Sequence, residues 1–200
     1  MSTATAPAPV GILLAAGRGR RFDPTGAHNK LLQPLTGGIP VAVASARNLL
    51  SVVTRVIAVV RPADGGVADA LRAIGCEVTV CADADSGMAA SLSHAIRHSL
   101  PDAKAWLIAL ADMPHVQAST MRALCEAVAG GAAIAAPVNG ARRGNPIAFG
   151  ALHLSALLAL SGDQGARGIL KTNEVTEVQV DDSGIFQDID TPSDLSGARL

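Results

Sequence analysis

Within GILLAAGRGRRFDPTGAHNK, residues 11–30, Gly17 and Gly19 alternate with Arg18, Arg20 and Arg21 before the chain reaches Asn29 and Lys30. Glycines let backbone N–H groups approach an anion with no Cβ in the way, and guanidinium groups hold phosphate oxygens through paired donors. A separate ammonium, Lys30, adds a point charge. Holding a polyphosphate is the chemistry that suits this collection, although a run of charge is also commonly a solvated face. The acidic counterpart lies farther along. Asp112 in AWLIALADMPH follows an apolar run and precedes Met113 and Pro114, and Asp190 in FQDIDTPSDL precedes a turn or helix start. Mg²⁺ takes one or two carboxylates and completes its octahedron with water and substrate phosphates, so two acids from separate strand ends suit it. Capping of the following helices is the competing role for Asp112 and Asp190, and Asp181, Asp182 and Asp188 compete for the second acidic place.

Familiar cradles do not match. The dinucleotide fingerprint needs a third glycine where Phe22 stands and an acid at the end of the second strand, where Arg61 stands. No glycine-lysine-serine or glycine-lysine-threonine triplet is present, which excludes a Walker A loop. The five histidines are scattered without ligand spacing, and none neighbours a serine or cysteine in a nucleophile motif.

Elements that would position these residues follow from hydrophobic period. Short apolar runs at 10–15, 55–60, 77–81, 105–110 and 132–137 predict strands covered on both faces, hence a parallel sheet. Between them, Val67, Leu71 and Ile74, then Met88, Leu92 and Ile96, then Met121, Leu124, Cys125 and Val128 mark apolar helix stripes, nearly all read as core packing, Met88 included. A further helix is expected over 39–50. The alternation describes a doubly wound α/β sheet with ligands at the carboxyl ends of its strands. Past residue 138 the rhythm changes: a turn at NGARRGNP, a short strand at PIAFG, helices over 151–160 and 165–170, a strand at EVTEVQVD, and a last helix capped near Thr191. Residues 1–9 are expected as a disordered lead-in and 10–200 as a single domain.

Composition narrows the function classes. With 49% apolar and 16% charged residues and a net charge of −1, the chain reads as a globular protein without the field that attracts nucleic acid or an acidic membrane. Aromatics are 2% with no tyrosine, which removes stacking platforms for unpaired bases. No apolar run reaches the ~20 residues of a membrane span. Three cysteines, without CxxC spacing, fit neither a disulfide framework nor a zinc site, and a cytoplasmic setting is expected. The partner is then a small molecule.

LAAGRGRRF, NKLL, LADMP and DIDTPSDL, in that order over about residues 10–196, resemble the MobA-like nucleotidyltransferases, and among them the molybdenum cofactor cytidylyltransferases. The resemblance implies a Rossmann-like three-layer α/β/α fold of the nucleotide-diphospho-sugar transferase type. It also implies Mg²⁺-dependent transfer of CMP from CTP to the phosphate of a molybdopterin-type acceptor, with release of pyrophosphate. Leu14, Ala15, Ala16 and Gly17 then meet the nucleotide through the main chain, and Ala16 at the third place corresponds to the cytidine-using branch. Arg21 and Lys30 correspond to the phosphate-binding pair, Asp112 to the metal-binding aspartate, and Asp83 and Ser91 in DADSGMAAS to base and ribose contacts. SGDQGARGIL is similar to a segment near the acceptor. Asn145 stands where many cytidylyltransferases carry histidine, and FDPTGAHNK is slightly long through Pro24 and Gly26. A molybdoenzyme or its insertion chaperone is the implied protein partner. The competing functions are transfer from GTP or onto a sugar or polyol phosphate, a nicotinamide-dependent oxidoreductase on the same fold, and a non-catalytic nucleotide-binding or cofactor-insertion protein.

Overall fold

The structure, a computed structural model, describes residues 8–162 and 165–197. Each of the five apolar runs forms a strand: β1 (Val10–Leu14), β2 (Val56–Val60), β3 (Glu77–Val80), β4 (Ala105–Leu110) and β5 (Ile134–Asn139). Side chains alternate across a strand with period two. Ile12, Ile57, Trp106 and Ile108 therefore enter one core, and Leu13, Ala58, Leu107 and Ala109 enter the other. Both faces need cover. Leu49, Leu71, Met121 and Leu124 supply it on the second face from α1 (Val41–Leu50), α2 (Val67–Arg72) and α4 (Ala118–Ala129). On the first face it comes from Leu92, Ile96, Leu157 and Ile169 of α3 (Met88–Ser99), α5 (Leu154–Leu158) and α6 (Arg167–Thr172). This is a Rossmann-like three-layer α/β/α arrangement. Trp106 is fully buried, and its indole N–H is satisfied by the Ser99 hydroxyl at 2.8 Å.

Strands run in the order β3-β2-β1-β4-β7-β5-β6, with β6 (Arg142–Arg143), β7 (Ile147–Gly150) and, alongside β5, β8 (Thr176–Gln179). The sheet is mostly parallel. β1 lies between β2 and β4 and is parallel to both, with Ile12 opposite Ile57 and Ile108. The chain winds outward from β1 to β3, then returns to place β4 on the other side of β1. That reversal opens a crevice beyond the carboxyl ends of β1 and β4. β5 keeps the parallel sense but is separated from β4 by β7, which is antiparallel to both. Only residues 140–146 join β5 to β7, far fewer than the dozen or so that a parallel crossover needs. Part of that connection, expected as a plain turn, folds back as β6 on the end of β5.

Two further readings change. The helix expected over 151–160 begins as a 3-10 turn, Ala151–His153, and continues as the short α5. Met88 is not core: it is 45% exposed. It sits in the first turn of α3, beyond the carboxyl edge of the sheet, with its sulfur beside Gly165 and not under a layer of the core. Asp163 and Gln164 of the SGDQGARGIL segment, and residues 1–7 of the expected lead-in, lie outside the described residues. The last helix, α7, spans Pro192–Gly197. Among the described residues no helix is long and apolar enough to cross a membrane.

Candidate functional site

Leaving β1, the chain donates the Ala15 N–H to the Val59 carbonyl and turns over the sheet edge through residues 16–22. Gly19 makes the turn possible. Its φ of +63° is the left-handed region, and the N–H groups of Phe22 and Asp23 both bond its carbonyl. Phe22 is buried and pins the far end of the turn. The slightly long segment that follows is tied up by the Asp23 carboxylate, which accepts from the N–H and hydroxyl of Thr25 and from the N–H of His28. These bonds hold the Asp23 carboxyl far below the ordinary carboxylate range. Asn29 then fixes Lys30. Its side chain accepts from the Leu31 N–H and donates to the Asp64 carbonyl at 2.7 Å, capping the 3-10 turn Lys30–Leu32.

Lys30 runs beneath Gly19 and is only 10% exposed at its side chain. Its ammonium lies 2.7 Å from Asp112 Oδ2 and 3.2 Å from Asp190 Oδ1. Arg21, 77% exposed, closes on the other oxygen of Asp190 at 2.5 Å. The two acids meet because the backbone is stitched beneath them: Ala111 N–H bonds the Leu14 carbonyl, and Ile189 N–H bonds the Asp112 carbonyl at 2.8 Å. Gly184 permits this approach, since a Cβ there would run into the His115 carbonyl.

The capping alternatives resolve onto other acids. Asp182, buried, accepts from the Gln117 N–H at the start of α4, from the Thr120 hydroxyl and from the Gly184 N–H, so its role is structural. Asp194 reaches back to the N–H groups of Asp190 and Thr191 and to the Thr191 hydroxyl, which leaves the Asp190 side chain free of capping. Asp188 stands beside Asp190 and reaches solvent. Partial burial and the neighbouring acid push its carboxyl up. Burial acts in the same direction on Asp190, but hydrogen bonds from Asp188 and Lys30 outweigh it and hold Asp190 below its ordinary value.

Arg21, Lys30, Asp112 and Asp190 line one cavity of about 450 Å³ together with Leu14, Ala16, Gly17, Gly19, Arg20 and Ser91. Ala15 is buried behind that lining. Asp83 is not part of it: its side chain faces a separate depression shared with Ser86, His94 and Arg97. Asp85 takes the wall instead, from the 3-10 turn Ala84–Ser86. Its carboxylate accepts from Arg18 Nε at 2.6 Å, pairs with a second guanidinium nitrogen of Arg18, and lies 3.7 Å from Arg61. The Arg18 hydrogen bond is the main reason that the Asp85 carboxyl is lowered. Met88, whose apolar stripe reads as core, lines the same wall. The signal for Asp85 is its type near the end of the third strand, the same signal that selects Asp112.

The cavity therefore joins an apolar part, Leu14, Leu110 and Met88, to a cationic part, Arg18, Arg20, Arg21 and Lys30. Among the described residues, no group of three or more His, Cys, Asp or Glu is disposed to hold a metal by itself. The two carboxylates on Lys30 still fit Mg²⁺, which draws the rest of its shell from phosphate oxygens and water. The arrangement can bind a polyphosphate beside a divalent cation with an apolar surface adjoining it.

Comparison with known proteins agrees with this geometry. PucB, a purine catabolism protein of Bacillus subtilis, is 28% identical over 95% of each chain. The structure of Rv0371c from Mycobacterium tuberculosis superposes with a TM-score of 0.83 at 27% identity, covering 96% of this chain and 97% of that one. That protein has also been crystallised with manganese. A nucleotidyl transferase from Methanothermobacter thermautotroptrophicus shares the fold with a TM-score of 0.79 at 24% identity, over 96% of each chain. The family model for the MobA-like NTP transferase domain matches residues 11–178, from the first residues of β1 into β8. The chain belongs to this family of nucleotidyltransferases.

Proposed function

We propose that this protein transfers CMP from CTP to the phosphate of a molybdopterin-type cofactor and releases pyrophosphate. One observation carries the reading: an ammonium, Lys30, held between Asp112 and Asp190 in a cavity roofed by the glycine-arginine turn. Alanine at position 16 supports the cytidine donor through the resemblance to the cytidine-using branch.

The reaction is in-line displacement. An acceptor phosphate oxygen attacks the α-phosphorus of CTP, a new P–O bond forms, and the bond to the β-phosphate breaks as pyrophosphate leaves. No protein nucleophile takes part. Arg20, Arg21 and Lys30, with the N–H groups of residues 16, 17 and 19, hold the triphosphate in line and meet the charge on the departing pyrophosphate. Ser91 and Met88 bound the side of the cavity that takes base and ribose, and Asp83 acts there only through the turn it begins. Asp112 and Asp190 would hold Mg²⁺, which supplies charge neutralisation at the α-phosphate and the leaving group. The manganese complex of Rv0371c supports dependence on a divalent cation.

A thermal-shift and pyrophosphate-release panel of CTP, GTP, ATP and UTP with Mg²⁺, run with and without molybdopterin, tests the reading. Expected are the largest shift with CTP and turnover that requires molybdopterin. A larger shift with GTP, or turnover only with a sugar or polyol phosphate, overturns the donor or the acceptor respectively.

A further inference from the structure

Asp112 and Asp190 share their cations. Lys30 touches one oxygen of each, and Arg21 holds the second oxygen of Asp190. Two carboxylates thus face one ammonium and one guanidinium, and their formal charges cancel. The acids are shielded, with side chains 24% and 18% exposed. In such surroundings a charge separated from its partner regains little hydration, so one member of the cluster does not leave cheaply. A bare divalent cation must push Lys30 off both acids and then sit against the displaced ammonium, with no new anion to offset its charge. A triphosphate reverses that balance. Its oxygens offer the ammonium and the guanidinium new partners while the carboxylates are released.

We propose that Lys30 and Arg21 are exchangeable counter-ions of Asp112 and Asp190: a triphosphate draws them off the two carboxylates, which then take the divalent cation, so nucleotide and metal bind cooperatively. The proposal rests on the nucleotidyl-transfer reading for its natural ligand. Its two cations differ in kind. Arg21 is mostly in solvent and swings away at little cost. Lys30 is confined beneath Gly19, with its aliphatic stem against that turn, and is the stronger barrier to a bare metal. Linkage makes the effect reciprocal: whatever factor the nucleotide adds to metal affinity, the metal adds to nucleotide affinity.

The test titrates Mn²⁺ into the 200-residue chain and follows free Mn²⁺ by electron paramagnetic resonance, with and without an α,β-methylene analogue of CTP, correcting for Mn²⁺ bound to the analogue in solution. Wild type is expected to bind bare Mn²⁺ at least about tenfold more weakly than in the presence of the analogue, within the usual range of coupling between sites. Lys30→Met is expected to bind bare Mn²⁺ more tightly than wild type, and Arg21→Ala to do so by a smaller factor. Adding Asp112→Asn to Lys30→Met is expected to remove the gain. Equal Mn²⁺ affinity in wild type with and without analogue that is shown to be bound overturns the proposal, as does failure of both single variants to tighten bare Mn²⁺ binding. The exposed Arg21 site keeps the test decisive if Lys30→Met does not fold. A chain that binds no nucleotide fails the nucleotidyl-transfer reading in the analogue arm alone, while the bare-metal arm still decides whether Lys30 and Arg21 act as counter-ions.

Discussion

Around Lys30, three charged side chains lie over stitched backbone, with the ammonium 10% exposed and the two carboxylates 24% and 18% exposed. Across the same cavity Arg18 meets Asp85 with 41% and 52% of their side chains in solvent. The two seams use the same chemistry at different depths. Water screens the outer pair and hydrates either member when they part, so it adds little to stability and can rearrange for a ligand. The inner cluster has no such release, so it holds its geometry until something of comparable charge replaces a partner.

The comparison breaks first, if it is wrong, at Asp112. Asp112→Ala should lower metal-dependent turnover by about 10²–10³-fold, by analogy with loss of a preorganised charge-stabilising group, while circular dichroism and thermal melting stay close to wild type. Near-normal turnover would remove the inner cluster from the reaction. Lys30→Met should slow single-turnover transfer by about 10²-fold.

Asp194→Ala tests the scaffold under Asp190. Loss of its bonds to Asp190 and Thr191 should cost about 1 kcal/mol in urea unfolding, as for other lost helix caps, with a reduction in turnover smaller than that of Lys30→Met. Two histidines outside both seams report chiefly on burial. Burial lowers the pKa of His94 and His115, and in His94 nearby His98 and Arg97 add to the effect. The unfolded chain therefore takes up protons first as pH falls past about 6.5. Their contribution to stability is complete above that pH and is lost as pH drops through the folded values. Replacing both with glutamine should flatten the decline of denaturant midpoint between neutral and mildly acidic pH; an unchanged slope would show that neither is buried neutral. The smallest effect belongs to Asp85→Asn: no measurable shift in melting temperature, and a change in nucleotide KM with kcat nearly preserved. A loss as large as that of Lys30→Met would erase the distinction between the seams.

The periodic parts of the chain were readable in advance because their signals are local. Ile12 and Leu13, or Leu92 and Ile96, take their places from spacing alone. Gly17 to Arg21, Lys30 and Asp112 were readable for a related reason: in an α/β sheet, residues just past a strand share the ligand edge. Asp83 and Asp85 were harder to separate. In a turn of about three residues per revolution, residues two apart point to different sides, and the sequence does not say which side faces the cavity. Met88 misled because its helical period continues one turn beyond the sheet that gives the stripe its meaning.

Local pattern thus determined the strands and helices of the α/β layers and the gathering of glycines and arginines in the first loop, since both depend on neighbours within a few residues. Tertiary structure decided the insertion of β7 between β4 and β5, the choice of Asp190 over Asp182, and the sharing of Lys30 between two acids. Lys30 meets Asp112 across 82 positions and Asp190 across 160. Contacts over such separations depend on crossover paths and on the bond from Ile189 to the Asp112 carbonyl. Only the assembled sheet edge brings the three charges close enough, and far enough from water, to bind one another.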